Sequence, residues 1–536
     1  MLEGERLLFT SSMSRAHIMR RMVQRALVCV AVALLGSYGG GGSYVGTGFS
    51  RPVSAQSPPS SGVLIRNGLV VDGTGAAERK ADVRISGDTI VEVGASLTAR
   101  DGERVIDAGG KVVAPGFIDT HSHADRGIED MPDVASQVRQ GITTAIVGQD
   151  GGGEVPVSDF LDEVDRLKPS INYGTTVGHG TVRGIVMGAD FKRAATPAEI
   201  ETMKAIVERG MKDGALGLSS GLEYDPGYYA KPEEIVELAR VAAKYHGYYT
   251  SHVRDEENEV LAAWSEAIDV GRKANLPVLI SHIKMASQPV WGKTPEGLKL
   301  LEQANASGVR VRADWYPYTY WQSSMYVLIP DRDFENRKKW EVGLDEIGGA
   351  HNVLVTSYRP NPDWNGKTVA EIAQATGRDP VTTIIDMMHA SGNSIGIIGT
   401  SMDEADLTRF AASPLTFICS DGGLSGRHPR GYGTFPRVLA TYVREQKALD
   451  LRTAINKMTG GPAAYLGLRD RGVIAPQRKA DIVVFDSATI QDKGTKTEAA
   501  QAPVGIHYVI VNGQVVLDDG KMTEARPGRA VRRTES

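Results

Sequence analysis

Short apolar runs separated by turn residues follow one another after residue 60, and they are typical of β-strands. They cover residues 63–66, 69–71, 81–85, 89–93 and 111–113. Turn pairs such as Asp72-Gly73 and Ser86-Gly87 separate them, which predicts a small antiparallel β unit. The same pattern returns at residues 480–485 and 508–516. We therefore expect the two ends of the chain to pair into one β domain.

A different pattern, in which a strand-like run and a helix alternate, repeats through the middle of the chain. Thr196-Pro197-Ala198-Glu199 is a capping box with proline at the first helical position, and it predicts the start of a helix. Pro232 and Thr294 begin two further predicted helices, each of which ends at a glycine. An apolar or β-branched run follows each helix, and this alternation predicts parallel strands joined by crossover helices.

Eight strand-like segments follow this pattern, and the number eight favours a (β/α)8 barrel over an open sheet. They cover residues 117–123, 144–148, 171–178, 216–219, 248–252, 278–282, 309–316 and 415–419. The gap between the last two segments is too long for one helix, so we expect an insertion at about residues 322–412. The predicted fold is an α/β protein: a TIM-like barrel at residues 115–468 beside a small β domain formed by residues 56–114 and 469–536.

The first 55 residues have the pattern of an export signal and a low-complexity leader. Four arginines precede a short apolar run at residues 26–35, and small residues at Val53 and Ala55 suit signal-peptidase cleavage after Ala55. Cleavage would place the protein in the periplasm or outside the cell; a disordered N-terminal tail is the alternative. Because a membrane span needs at least ~18 apolar residues, the sequence predicts no integral membrane protein.

Composition limits the partners and the kind of metal site. Hydrophobic residues make up 41% of the 536 residues, charged residues 23%, and the formal net charge is −5. These values exclude a disordered polyelectrolyte and a basic nucleic-acid binder, so the expected partner is a small molecule. The two cysteines, Cys29 and Cys419, are too few for a disulfide framework or a multi-cysteine zinc site. Any metal must therefore be bound by histidine and carboxylate side chains.

Four histidines and one aspartate fall where the predicted barrel strands end. His121 and His123 close the first strand two residues apart, so both side chains can point to the same side. His252 and His282 close the fifth and sixth strands, and Asp421 follows the eighth. Because a barrel brings its strand ends together at one face, we expect these residues to bind zinc or a similar divalent ion.

These histidines and Asp421 lie in motifs that resemble those of the amidohydrolase superfamily and, within it, of the N-acyl-D-amino-acid deacylase (D-aminoacylase) family. The resemblance covers nearly the whole chain after the export signal and implies a metal-bearing barrel beside a β-sandwich made from both chain ends. Its main motifs are Gly116-Phe117-Ile118-Asp119-Thr120-His121-Ser122-His123-Ala124-Asp125, Gly178-His179-Gly180-Thr181-Val182-Arg183, Ser251-His252-Val253-Arg254-Asp255-Glu256, Ser281-His282-Ile283-Lys284, Tyr316-Pro317-Tyr318-Thr319, Ser420-Asp421-Gly422 and His428-Pro429-Arg430.

The chain departs from this family at the end of the second strand. Family members usually carry Asn-Cys-Gly there, with the cysteine as a metal ligand, whereas this chain reads Gln149-Asp150-Gly151. Related amidohydrolases place a carboxylated lysine or a glutamate in the bridging role, but the fourth strand, residues 214–220, has no lysine. We therefore predict that Asp150 is an oxygen ligand that can bridge two ions; the alternative is a turn-forming aspartate in a glycine-rich loop.

The resemblance also suggests roles for residues beyond the metal ligands. Asp421 takes the position of the family's proton shuttle, a role that is compatible with metal binding. Lys284 and Arg430 would bind the α-carboxylate of the substrate; structural or surface cations are the alternative. The further predicted substrate contacts are Tyr224, Tyr318 and Ser324, and the residues expected behind the ligands are His179 and Asp125.

The function predicted from the sequence is metal-dependent hydrolysis of a linear amide bond. The substrate would be an N-acyl amino acid of D configuration, or a small peptide with a D-residue, and the products a carboxylate and a free amino acid. The expected cofactor is Zn²⁺, one or two ions per chain, with Mn²⁺ or Co²⁺ also suited to the ligands. A cyclic-amide hydrolase resembling hydantoinase or dihydroorotase is one alternative, and a non-catalytic scaffold derived from an amidohydrolase is another.

Overall fold

The structure is a computed structural model that describes residues 62–533. The predicted export signal and Cys29 lie outside the described residues. The N-terminal strands are Val63–Val70, Arg79–Ser86, Thr89–Gly94, Arg104–Asp107 and Val112–Pro115. The first three pair as antiparallel neighbours, as predicted. The prediction of a wholly antiparallel unit is wrong, because Arg104–Asp107 and Val112–Pro115 both pair in parallel with Val63–Val70.

The middle of the chain forms an eight-stranded parallel barrel, which confirms the predicted fold class. Parallel pairing joins neighbouring strands from the first to the eighth, except where a break at Thr176 divides the third into two pieces. Backbone hydrogen bonds close the ring, since Asp421 donates to His121 and His123 donates to Gly422. The strands are Phe117–Asp119, Ile142–Val147, Asn172–Thr175 with Val177–Gly178, Gly217–Gly221, Tyr248–His252, Val278–Ile280, Val311–Trp315 and Thr416–Ile418.

Helices connect the barrel strands, and the three that the sequence predicted are present at Pro197–Lys212, Pro232–Lys244 and Thr294–Ala306. The capping box also forms: the Glu199 backbone N–H donates to Thr196. Among residues 62–533, none of the helices is both long enough and apolar enough to cross a membrane. The other α-helices outside the insertion are Ala135–Val138, Val157–Leu167, His179–Met187, Val260–Ala274, Arg430–Arg437, Leu451–Met458 and Gly460–Leu466, and Val438–Glu445 is a π-helix.

An insertion separates the seventh and eighth barrel strands, as the length of that gap predicted. It contains an antiparallel sheet in which Gly396–Gly399 lies between Trp321–Ser324 and Val353–Ser357. Its helices are Arg337–Glu346, Val369–Thr376, Pro380–Ser391 and Glu404–Ala412. The strand Trp321–Ser324 directly follows the seventh barrel strand, so the insertion reaches the end of the barrel where the predicted site residues lie.

The last strands of the chain join the N-terminal strands in one nine-stranded sheet. Ile482–Phe485 runs antiparallel to Val112–Pro115, and this pair connects the two ends of the chain. Ile506–Val511, Gln514–Asp518 and Lys521–Met522 extend the sheet from there. The sheet has an apolar core of its own, to which both chain ends contribute: Ile65, Val83, Ile85, Val113, Ile482, Val484 and Ile510.

Candidate metal centre

The carboxylate of Asp150 lies among three histidines at the C-terminal end of the barrel. Its Oδ1 is 3.3 Å from Nε2 of His121 and 3.3 Å from Nε2 of His282. Its Oδ2 is 3.1 Å from Nε2 of His123. One carboxylate thus faces histidines from two different barrel strands, an arrangement suited to a ligand shared by two ions.

Asp421 faces the same two histidines of the first strand, His121 and His123. Its Oδ1 is 3.3 Å from Nε2 of His123 and 3.7 Å from Nε2 of His121. Its Oδ2 is 2.6 Å from the guanidinium of Arg430. One oxygen of Asp421 therefore faces the histidines, while the other is held by a buried cation.

His252 joins this cluster through His282. Its Nδ1 is 3.1 Å from Nε2 of His282, the nitrogen that also faces Asp150. Its Nε2 is 2.6 Å from the carboxylate of Glu223. Two sets of side chains place one donor atom from each residue within 4.8 Å of the others: His121, Asp150, His282 and Asp421, and His252, Glu256 and His282.

Two buried aspartates inside the barrel hold the backbone that carries these ligands. Asp119 accepts hydrogen bonds from the backbone N–H and the hydroxyl of Ser420, the residue before Asp421. Asp314 accepts hydrogen bonds from the backbone N–H of His282 and from the hydroxyl of Thr120. Because neighbouring strands are tied together in this way, the ligand side chains are fixed before any ion binds.

Three residues of the cluster have backbone conformations in the left-handed region. The φ angles are 55° at Asp150, 35° at His282 and 49° at Asp421. Positive φ is uncommon outside glycine and concentrates at functional sites. Position 151, next to Asp150, requires glycine. Its φ is 72°, and a Cβ there would lie 2.9 Å from the backbone nitrogen of Gly221. The tight packing of this loop against the fourth strand places Asp150 at the cluster.

Burial and the neighbouring carboxylates set the charges of the cluster. Burial lowers the pKa of His121. Burial also opposes protonation of His123, but its contacts with Asp150 and Asp421 outweigh that and raise its pKa to about 9. Burial would raise the pKa of Asp150 and of Asp421, yet the adjacent histidines and, for Asp421, Arg430 hold both well below the usual value. Both carboxylates are therefore ionised and attract positive charge.

The donor set fits a divalent metal ion. His121 is completely buried, and neither its Nδ1 nor its Nε2 forms a hydrogen bond in the structure, although Nε2 lies close to two carboxylates. A buried nitrogen without a hydrogen-bond partner is costly unless something else binds it. Imidazole nitrogens and carboxylate oxygens are the ligands of Zn²⁺, and they also suit Mn²⁺ and Co²⁺.

The cluster opens into a cavity of about 510 Å³ between the barrel and the insertion. Of the predicted substrate contacts, Lys284, Arg430, Tyr224 and Ser324 line this cavity. The ring of Tyr224 packs on the ring of His252, with centroids 4.3 Å apart. The cavity therefore brings the predicted metal ligands and two cations together at one end of the barrel.

Tyr318 does not line this cavity, in contrast to the expectation. Only 1% of its surface is exposed, and its hydroxyl is 3.4 Å from the backbone oxygen of Pro429 and 3.4 Å from Asp492. Tyr316 lines the cavity instead, with its ring centroid 5.8 Å from Nζ of Lys284 and 5.0 Å from the guanidinium carbon of Arg430. The tyrosine beside Lys284 and Arg430 is therefore Tyr316, the first tyrosine of the Tyr316-Pro317-Tyr318-Thr319 motif.

His179 and Asp125, the residues expected behind the ligands, are also absent from the lining of the cavity. His179 is completely buried, and its Nε2 is 2.8 Å from Glu234, which also pairs with Arg183. Asp125 is half-buried two residues after His123, and its Oδ1 forms no hydrogen bond in the structure. Neither side chain is hydrogen-bonded to a member of the metal cluster.

Two glutamates belong to the site and were not predicted. Glu256 accepts a hydrogen bond from Nζ of Lys284 at 2.6 Å and lies 3.1 Å from Nδ1 of His282. Glu223 contacts His252, and burial beside Glu256 raises its pKa well above the usual value. Glu256 ends the Ser251–Glu256 motif, four residues after His252, so the sequence could have indicated that it belongs to the site. Glu223 follows the fourth strand, where the sequence analysis considered only a bridging lysine or glutamate within residues 214–220.

The sequence is similar to a known protein family and to several of its members. A profile described as the amidohydrolase family matches residues 112–516. An N-acyl-D-glutamate deacylase of Alcaligenes xylosoxydans xylosoxydans is 36% identical over 500 residues, which cover 88% of this chain and 97% of that protein. A D-aminoacylase of the same organism is 35% identical over 497 residues, covering 88% and 98%.

Solved structures agree with the sequence relatives. The N-acyl-D-glutamate deacylase of Bordetella bronchiseptica, complexed with zinc and a phosphonate mimic of the tetrahedral intermediate, is 34% identical with a TM-score of 0.78. A D-aminoacylase studied for its binuclear metal centre is 35% identical, also with a TM-score of 0.78. Each match covers 88% of this chain and 99% of the other. A D-hydantoinase aligns at 17% identity with a TM-score of 0.54, which shows a shared fold alone.

Proposed function

We propose, because this chain belongs to the amidohydrolase family and within it to the N-acyl-D-amino-acid deacylases, that it hydrolyses the amide bond of N-acyl-D-amino acids. Small peptides with a D-residue fall in the same substrate class, and the products are a carboxylate and a free amino acid. The observation that carries this proposal is the position of Asp150 and Asp421 among buried histidines in a cavity that also contains Lys284 and Arg430.

The metal would be held by the residues of the cluster, and Zn²⁺ is the ion we assign, at one or two per chain. When bound, such an ion lowers the pKa of a water molecule and polarises the carbonyl group of the scissile amide. The proposed ligands are His121, His123, Asp150, His252, His282 and Asp421.

Asp421 is the group that we assign to proton transfer. An amide nitrogen leaves poorly unless it is protonated, so a base must take a proton from the attacking water and deliver it to that nitrogen. Asp421 is ionised, lines the cavity and has one oxygen facing the histidines, so it can accept this proton. Arg430 holds its other oxygen and limits its rotation.

Lys284 and Arg430 would bind the α-carboxylate of the substrate, which lies on the leaving-amine side of the scissile bond. Both are buried cations on the cavity wall, although each already has a carboxylate partner, Glu256 for Lys284 and Asp421 for Arg430. An arginine side chain has five N–H donors, so Arg430 retains donors for a second carboxylate. The ring of Tyr316 contacts both cations.

The two alternative functions, a cyclic-amide hydrolase and a non-catalytic scaffold, have less support. A cyclic-amide hydrolase would normally carry a metal-bridging lysine at the fourth strand, but Gly217–Gly221 contains none. Curated dihydroorotases match at 23% identity, well below the 36% of the deacylase. A non-catalytic scaffold would lose its ligands, whereas this chain keeps His121, His123, His252, His282, Asp150 and Asp421 together in one cluster.

Arg430→Ala should damage hydrolysis of N-acyl-D-amino acids far more than hydrolysis of the corresponding amino-acid amides, which lack the carboxylate. Loss of a charge-assisted hydrogen bond costs ~1.5–3 kcal/mol, so we expect kcat/KM for the acids to fall about 10- to 150-fold further. Some loss on both substrates is expected as well, because Arg430 also holds Asp421. The measurement is kcat/KM on matched acid and amide pairs, and equal losses on both would make Arg430 structural only.

The substrate class is tested by a screen of zinc-loaded protein against paired N-acyl-D- and N-acyl-L-amino acids. Free amino acid released in each reaction is the quantity measured. We expect release from the D-enantiomers at rates that exceed those of the L-enantiomers. Hydrolysis of hydantoins or dihydroorotate without release from either linear series would favour the cyclic-amide alternative.

Export is the remaining part of the proposal, and the supporting observation is the sequence pattern of residues 1–55. The mature N-terminus should lie near Gln56, because Val53 and Ala55 suit signal-peptidase cleavage. N-terminal sequencing and intact-mass measurement of protein from its own cells, fractionated into cytoplasm and periplasm, check this expectation. An uncleaved chain in the cytoplasm would contradict it.

A further inference from the structure

The imidazole of His252 is held between two different environments. Its Nδ1 faces the metal cluster, 3.1 Å from Nε2 of His282. Its Nε2 faces Glu223, whose Oε2 lies 2.6 Å away. Only 3% of the surface of His252 and 4% of that of Glu223 is exposed, so water does not compete for this contact. Glu223 is the nearer of two carboxylates to this nitrogen, since Oε2 of Glu256 lies 3.9 Å from it.

The backbone around Glu223 is fixed from both sides. The N–H of Leu222 donates to the backbone oxygen of His252 at 3.0 Å, which ties the loop to the fifth strand. From the insertion, Arg332 donates to the backbone oxygen of Glu223 at 2.5 Å. Both anchors hold the backbone that carries Glu223, and neither involves a metal ligand's side chain.

We propose that Glu223 is a positioning residue for the metal centre: it accepts the Nε2 proton of His252 and so keeps Nδ1 free to bind the ion. A metal ion at Nδ1 requires an unprotonated nitrogen there, and the ring proton must then be on Nε2. A carboxylate that accepts this proton fixes both the tautomer and the ring orientation of a metal-bound histidine. This inference rests on the proposed function, because it presupposes that His252 is a ligand.

This role also explains what the fourth barrel strand contributes to the site. Gly217–Gly221 has no lysine, so this strand cannot supply the bridging ligand of related amidohydrolases. The loop that follows it supplies Glu223 instead, and that side chain acts on the centre through His252. The neighbouring residue Glu257 also lines the cavity. Its carboxylate accepts a hydrogen bond from the backbone N–H of Glu256 and not from a histidine.

The test is the affinity for Zn²⁺, measured by competition with a chromophoric chelator, for wild type and four variants. Glu223→Leu removes the acceptor at similar volume, and Glu223→Ala replaces it if the leucine variant does not fold. Glu223→Gln retains an oxygen acceptor while removing the charge. Glu257→Gln is the matched control, because it removes a carboxylate from the same wall without touching a histidine.

We expect Glu223→Leu or Glu223→Ala to weaken zinc binding by about 10- to 100-fold, the range for groups that support a metal ligand. Glu223→Gln should bind within a few-fold of wild type, and Glu257→Gln should be unchanged. Wild-type affinity in the leucine and alanine variants would overturn the proposal, as would equal weakening in Glu223→Gln and Glu223→Leu, which would indicate a charge effect. Absence of zinc binding by the wild type would instead contradict the proposed function.

Discussion

We expect Asp421→Asn to lower the turnover of N-acyl-D-amino acids by at least ~100-fold, the scale of a lost general acid–base group. The amide keeps the shape and one oxygen of the carboxylate but cannot accept the proton of the attacking water. His121, His123, Asp150, His252 and His282 are unchanged in this variant, so part of the bound metal is retained. Turnover and metal content, determined on the same preparation, separate the loss of proton transfer from the loss of the ion.

Asp130→Asn is a suitable control for the Asp421 experiment. Asp130 is an exposed aspartate outside the lining of the cavity, and the same change of carboxylate to amide there should leave turnover unchanged. Near-normal turnover of Asp421→Asn would assign the proton transfer to another residue. Turnover that falls only in proportion to lost metal would reduce Asp421 to a ligand.

Asp150→Ala has the second large expected effect, which is loss of metal from the whole cluster. The two oxygens of Asp150 face His121, His123 and His282, so their removal weakens both halves of the centre at once. We expect affinity to fall by more than ~100-fold, beyond the effect of a group that only supports a ligand. Elemental analysis and turnover after reconstitution measure the result.

Asp150→Cys distinguishes a bridging carboxylate from a simple ligand. A thiolate is a soft ligand that favours zinc, whereas a carboxylate also accommodates manganese or cobalt. The cysteine variant should therefore retain zinc with His252 and His282, bind manganese poorly and contain less metal beside His121 and His123. Wild-type stoichiometry and turnover in Asp150→Ala would show that Asp150 is only a turn residue.

The sequence was most informative where local chemistry determines structure. The capping box at Thr196 predicted the start of its helix because the hydrogen bonds that form it lie within four residues. Alternation of strands and helices likewise predicted the eight-stranded barrel. It did not predict the parallel pairing of Val63–Val70 with Arg104–Asp107, because turn residues indicate hairpins between neighbours and carry no information about strands that pair over longer distances.

The metal cluster was predictable because the ligands are of unusual types and stand at strand ends. The contacts that set the charges of the site were harder to predict from the sequence. Lys284 and Arg430 were expected to bind the substrate carboxylate, and the sequence did not indicate that the fold also pairs them with Glu256 and Asp421. Tyr318 was expected at the substrate from the resemblance alone, and in the structure Tyr316 of the same motif lines the cavity instead.

Metal removal and reconstitution on one sample of wild-type protein test the central claim most directly. The protein is stripped with a chelator and titrated with Zn²⁺, while bound zinc and the release of free amino acid from an N-acyl-D-amino acid are measured together. The account predicts no hydrolysis in the stripped protein and recovery of activity as about one to two ions bind per chain. Full activity in protein that elemental analysis finds free of metal would contradict it.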